Sequence, residues 1–142
     1  MSDHDELAMQ AWAAMIAVVL RTTRAAEAAT ANAPVTATQF HLLRTLADYG
    51  PARQVDLAER TGTTAASVSQ LVGRLEDAGY VERIAQGRTN YVHLVDRGAA
   101  VVDELIPQHS SFITERFASL ATDRLAALVE TLDILLAQQQ EP

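Results

Sequence analysis

The side chains whose types and spacing best suit chemistry lie between residues 64 and 90. Val68, Leu71, Val72 and Leu75 recur at three- and four-residue steps, the stripe of a helix that buries one face. The same period turns Thr64, Ala65, Ser67, Gln70 and Arg74 toward solvent. A solvated helix face is normally crowded with Glu and Lys, whereas this one is small and hydrogen-bonding apart from a single arginine. Such a face lets a backbone approach DNA closely, with Gln suited to an adenine edge and Arg to guanine or phosphate. A functionless Thr/Ser/Ala-rich surface helix would show the same period, so the period alone does not decide. Further on, Arg88 stands beside Gly87 in the polar run Gln86-Gly87-Arg88-Thr89-Asn90. An arginine at a hairpin tip suits the concentrated negative potential of a minor groove, and it also suits plain exposure to water. Arg53, Arg83 and Arg97 are further candidates for phosphate contact.

The elements that would position these residues can be read from the apolar pattern. Glu6 to about Ala31 has no Gly or Pro and carries Met9, Trp12, Ile16, Val19 and Leu20 at helical steps, which predicts one long helix. Pro34 ends it. Thr36 to Tyr49 follows as a short helix with Phe40, Leu43 and Leu46 inward, stopped by Gly50-Pro51. A shorter helix covers Gln54 to Arg60, Gly62 makes a tight turn, and Thr64 is placed to cap the helix Ala65–Ala78. Tyr80–Ala85 and Tyr91–Val95 are β-rich runs joined by residues 86–90, a hairpin signal. Two helices, a glycine turn and a hairpin are the parts of a winged helix-turn-helix, whose second helix lies in the DNA major groove. The hairpin therefore favours the DNA reading of the helix before it.

The last segment, from Gly98, carries the stripe Val102, Leu105, Ile106, Phe112, Ile113 and Phe117, with Pro107 expected to kink it. A final helix from Thr122 to Gln139 spaces Leu125, Leu128, Leu132 and Leu135 as in a coiled-coil seam, with Thr122-Asp123 as its start signal. Striped helices at the two ends, about sixty residues apart, must meet to bury their stripes, and pairing with a second copy is the simplest way. The expected fold is mainly α (α+β): a winged helix-turn-helix lobe at 36–97 between dimerisation helices at 1–35 and 98–142. Trp12, Ile16, Leu125, Leu128, Leu132 and Leu135 are the expected dimer contacts.

Composition narrows the chemistry. The 142 residues carry a net charge of −7, with no cysteine and no lysine. Thiol chemistry, cysteine-bound zinc, Schiff-base lysine and a Walker lysine are thereby excluded. An acidic total looks hostile to DNA, since counterion release rewards positive charge. The charge is unevenly placed, however. Two Arg stand against four acids before Thr36, seven against seven from Thr36 to Arg97, and two against seven after. An anion-binding surface is therefore expected in the middle. The acidic start MSDHDE lacks the basic character of a secretory signal, and no apolar run approaches the roughly 20 residues of a membrane span, so a cytoplasmic protein without membrane contact is expected. No nucleophile–base pair, metal cluster or phosphate loop stands at a meaningful spacing, so no enzyme and no cofactor are expected. The acidic pairs Glu76-Asp77 and Asp103-Glu104 point different ways on their helices.

From about Glu6 to Gln139 the order of elements resembles the multiple antibiotic resistance regulator (MarR) family of winged-helix transcription factors. The most specific stretch is VTATQFHLLRTLADYGPARQVDLAERTGTTAASVSQLVGRLEDAGYVER. It is similar to the family's Thr-x-x-Gln-Phe helix, Leu-Ala pair, Val-x-x-Leu-Val recognition helix and Leu-Glu-x-x-Gly-x-Val-x-Arg exit. In the wing, Arg88, Leu94 and Gly98 keep family positions, while Gln86 and Val95 stand where the family usually has Asp and Thr, and the loop is about three residues shorter. The resemblance implies a homodimer whose two lobes span a pseudo-palindromic operator on double-stranded DNA, with half-sites about 10 base pairs apart. It also implies a repressor, released when a small effector binds the geometry that does not fit DNA.

In similar proteins the effector cleft lies where the first helix, the 36–49 helix and the helix after Gly98 meet. That implicates Trp12, Met15, His41, Arg44, His109 and Phe112, a set suited to a small aromatic or carboxylate ligand. Trp12 and Phe112 equally suit plain core or dimer contacts. Some relatives sense zinc, and His41 with His109 is the weaker metal candidate here, with Glu27 or Asp103 as oxygen ligand. The acidic charge and unusual wing leave a second reading, a winged-helix protein-interaction module that does not bind DNA.

Overall fold

The structure is a computed structural model and describes residues 1–139. Its helix starts follow from side-chain caps. Ser2 Oγ accepts from the Asp5 N–H at 3.2 Å while Asp5 accepts from the Ser2 N–H at 3.1 Å, so helix α1 (Asp3–Ala29) begins ahead of its apolar stripe. Thr36 and Gln39 form the same reciprocal pair, at 3.1 and 2.9 Å, for α2 (Ala37–Tyr49). Each box satisfies two N–H groups that a helix start otherwise leaves unpaired. The Thr-x-x-Gln-Phe signature is thus a capping box followed by the core residue Phe40.

Strand β1 (Ala52–Arg53) leads into α3 (Gln54–Thr61), and a turn through Gly62 leads to α4 (Ala65–Asp77). Thr64 caps α4 as its composition suggests, accepting from the Ser67 N–H at 3.1 Å. Eight residues are too few for a helix to persist alone in water. What holds α3 is Leu57, fully buried with Val68, Val72 and Leu75 of α4 and with Leu43 of α2. Burying each such side chain stabilises the fold by roughly 1.5–3 kcal/mol relative to exposure. Leu71, expected inward, is only partly buried at the rim of this core.

Strands β2 (Val81–Gln86) and β3 (Thr89–Leu94) form the wing. The five-residue loop expected at 86–90 is in fact a two-residue turn, Gly87-Arg88, because the ladder continues through Ala85↔Asn90 to Gln86↔Thr89. Gly87 has φ +66°, and among the described residues no non-glycine residue has positive φ. That is the pattern of a II′ hairpin turn, with Gly at the first central position and a twist that matches the strands. Strand β1 was not expected. It adds to the far side of β3 through Ala52↔Val92 and Arg53↔Tyr91, giving the antiparallel order β1-β3-β2.

Helix α5 (Asp96–Arg116) runs on through Pro107, and the chain divides there into two compact units, Met1–Ile106 and the residues from Pro107 onward. The first unit contains the core, closed by Val101 and Val102 of α5. Gly98 sits where the helix passes the Tyr80 backbone: a Cβ there would lie 2.2 Å from the Tyr80 carbonyl oxygen. The second unit includes α6 (Thr122–Gln138). It begins at Thr122 as expected; its N-cap is Ala121, without a side-chain hydrogen bond, and Thr122 and Asp123 occupy its first turn. Asp123 still faces the favourable end of the helix dipole. Neither α1 nor α6 has a buried residue. Among the described residues, no helix is long and apolar enough to cross a membrane.

Candidate nucleic-acid interface

Helix α4 presents the expected face. Thr64, Ala65, Ser67, Gln70 and Arg74 are all exposed, while Val68, Val72 and Leu75 on the other side are sealed in the core. Thr64 does double duty, since its hydroxyl also donates to Ser67 Oγ at 3.0 Å. The cap therefore occupies Thr64 and leaves Gln70 and Arg74 as the long side chains able to reach a base edge. Arg88 is at the apex of the wing, and Thr89 and Asn90 are exposed on the strand that leaves it.

The seven arginines of the central lobe differ sharply in what already holds them. Arg44 is paired with Asp48 at 3.1 Å and Arg53 with Asp56 at 2.9 Å. Arg60 lies over the Tyr49 ring at 4.7 Å and Arg97 over the Tyr80 ring at 5.0 Å. Arg83, expected as a phosphate contact, is turned into the lobe. Its guanidinium donates to Gln54 Oε1 at 3.1 Å, to Glu76 Oε1 at 3.3 Å and to the Ser69 carbonyl at 3.0 Å. Among the described residues, Arg74 and Arg88 have neither an acid nor a ring partner. The two uncommitted cations of the lobe thus sit on the outward face of α4 and at the wing tip.

A cleft of about 400 Å³ opens beside the wing, lined by Arg53, Gln54, Val55, Arg88, Thr89 and Asn90. Two arginines and three polar residues, Gln54, Thr89 and Asn90, give this lining the chemistry of an anion site. Gln54 and Val55 were not legible as members, because only the pairing of β1 with β3 brings the start of α3 to the wing. Within the cleft Arg53 is shared with Asp56, whose carboxyl it holds below the usual aspartate range chiefly by hydrogen bonding. Both groups are open to solvent, so the pair is weak and an incoming phosphate can compete for the arginine.

The effector candidates are less organised. In the first unit Trp12 is 58% exposed, His41 is exposed, Met15 is half-buried, and Arg44 is engaged by Asp48. In the second unit His109 is half-buried and the Phe112 ring lies under the Arg116 guanidinium at 4.2 Å. Among the described residues, no group of three or more His, Asp or Glu is arranged to hold a metal ion.

This arrangement has relatives. A MarR family model matches residues 33–89, from the lead into α2 through the wing turn. Over this stretch, 57 of its 142 residues, the chain is similar to the MarR family. An uncharacterized HTH-type transcriptional regulator of Bacillus cereus is 30% identical over 83 residues, which is 58% of this chain and 56% of that protein. The chain thus matches little more than half the length of that relative. An HTH-type transcriptional regulator of Mycobacterium tuberculosis is 28% identical over 126 residues, 87% of this chain and 88% of the other. Among solved structures, the MarR family regulator Sco3205 of Streptomyces coelicolor, crystallised in complex with DNA, superposes with a TM-score of 0.84. That comparison covers 99% of this chain and 91% of Sco3205 at 22% identity, a likeness of fold. Gln70, Arg74 and Arg88 all lie within the residues that the family model matches.

Proposed function

We propose that this protein is a homodimeric, DNA-binding transcriptional regulator, a repressor that binds a pseudo-palindromic operator and is released by a small aromatic or carboxylate effector. The observation that carries the reading is the placement of the two uncommitted arginines. Arg74 stands on a helix face otherwise made of small hydroxyl and amide groups, and Arg88 stands at the wing tip. The first suits the major groove and the second the adjacent minor groove. Arg53 supplies a phosphate contact from the cleft beside the wing.

The dimer is supported by what the single chain leaves uncovered. Trp12 is 58% exposed and Ile16 40% on α1, and Leu128 is 37% and Leu135 39% exposed on α6. Leu125 and Leu132 complete the α6 stripe. Apolar stripes on helices without a fully buried residue are what a second copy would cover. The effector reading rests on Trp12, Met15, His41 and Arg44 of the first unit.

The test is a mobility shift of the full-length protein with a duplex that it selects from a random library. Specific binding should weaken steeply with salt, and Arg74→Ala and Arg88→Ala should each lose at least about tenfold in affinity. Failure to select or bind any duplex at low salt would overturn the reading.

A further inference from the structure

Arg83 has an unusual set of partners for a residue on a wing strand. Besides the three guanidinium bonds to Gln54, Glu76 and Ser69, its own N–H donates to Glu76 Oε2 at 2.8 Å. Glu76 therefore uses both oxygens on one residue, one on the guanidinium and one on the backbone. The three partners belong to different places: Gln54 opens α3, and Ser69 and Glu76 lie one and a half to two turns apart on α4. A single planar guanidinium thus joins β2, α3 and α4. Its side chain is only 27% exposed, and that of Glu76 37%.

We infer that Arg83 and Glu76 are positioning residues for DNA recognition, fixing the wing relative to the recognition helix α4 instead of touching DNA. The inference rests on the DNA-binding reading above and deepens it. Gln70 and Arg74 enter one groove only while Arg88 enters the next, so affinity depends on the angle between α4 and the β2–β3 hairpin. Apart from packing, the side-chain hydrogen bonds that tie β2 to α3 and α4 among the described residues are those of Arg83 with Gln54, Ser69 and Glu76. A lysine cannot replace it, because an ammonium on a flexible stem does not reproduce a rigid fork with donors in three directions.

The inference makes a prediction of counterintuitive sign. Glu76 is a negative charge on the helix offered to DNA, so by Coulomb attraction alone its removal should strengthen binding. As half of a clamp, its removal should weaken binding. The full-length protein and the duplex it selects serve for the test, with affinity measured across a range of salt. Glu76→Gln and Arg83→Lys should each lose roughly tenfold in affinity at every salt, with the slope of log K against log salt unchanged. The double variant should be no worse than the poorer single one. Arg88→Ala, which removes a cation from the contact, should lower that slope by about 1 per lobe.

Tighter binding by Glu76→Gln, wild-type affinity in Arg83→Lys, or additive losses in the double variant would overturn the inference. Glu76→Gln keeps size and shape, so it decides the matter even if Arg83→Lys proves poorly folded by circular dichroism. A wild-type protein that selects no duplex would instead remove the DNA-binding reading itself, an outcome distinct from any of these.

Discussion

Gly98 gives the most direct test of how the lobe is closed. An alanine Cβ at this position would sit 2.2 Å from the Tyr80 oxygen, 3.1 Å from the Tyr80 carbonyl carbon and 2.7 Å from Leu94 Cδ1. The leucine can change rotamer. The carbonyl cannot move independently, because it accepts from the Val95 N–H at 3.2 Å and the Tyr80 N–H is bound to the Leu75 oxygen at 2.9 Å. Ordinary contact begins near 3.4 Å, so the backbone must part by about 1.2 Å. Overpacking of this kind costs about 1–3 kcal/mol, and the weakened Val95–Tyr80 bond adds about 1. Alanine returns at most about 1 kcal/mol through its better helix propensity. The net loss is about 2 kcal/mol, a fall in melting temperature of roughly 6–10 °C for a chain of this size. Gly73, inside α4, is the control: nothing lies within 4 Å of its Cβ position. Only the propensity gain acts there, so Gly73→Ala should raise the melting temperature by roughly 2–4 °C. Thermal melts by circular dichroism at one protein concentration read both, since a dimer's midpoint shifts with concentration. A Gly98→Ala protein that melts at or above the wild type would refute the close-approach argument.

The remaining predictions concern the two faces of the protein. Replacing Leu128 and Leu132 together by Asp should give a monomer by light scattering and abolish specific DNA binding; an unchanged mass would remove α6 from the dimer interface. Asp56→Asn should release Arg53 into the cleft and tighten DNA binding about two- to fivefold, the range expected of a solvent-exposed pair. Unchanged or weaker binding would show that Arg53 does not meet phosphate. The same pair has a definite pH sense. Because Asp56 titrates below its ordinary value in the folded chain, whatever stability the pair gives is complete above that ordinary value and lost as pH falls through the lowered one. An NMR titration of the Asp56 carboxyl with a midpoint at or above the ordinary aspartate value would contradict the pairing.

The legible parts of this fold were those written in local chemistry. Helix α4 was marked by its apolar stripe and by Thr64; the cap forms as read and Val68, Val72 and Leu75 are buried, with Leu71 at the rim, because a cap and a helix face involve neighbours in the chain. The outward set from Thr64 to Arg74 followed from the same period. Local chemistry does not reveal partners distant in sequence, and the misread residues are of that kind. Arg83 looked like any exposed strand arginine, since its Gln54 bond spans 29 residues. Strand β1 is two residues long and shows no alternation; only its pairing with Tyr91 and Val92 defines it. Gly98 matched a family position without a reason, and the reason is a carbonyl 18 residues earlier in the chain.

The wing shows how such distant contacts can replace a missing local one. The family's usual Asp near the wing tip is Gln86 here, and the loop is shorter, which raises the question of what holds Arg88 in place. A two-residue turn leaves little loop to stabilise: six cross-strand pairs run from Val81↔Leu94 to Gln86↔Thr89, so the strands themselves carry order to within one residue of Arg88. At the base, β1 pins β3 from one side and Arg83 ties β2 to α3 and α4 from the other. Shortening the wing thus moves its support from the tip to the base. On the proposed DNA-binding reading, Arg88 reaches DNA as the end of a short, braced ribbon whose aim depends on Glu76, a residue 12 positions away and on another element.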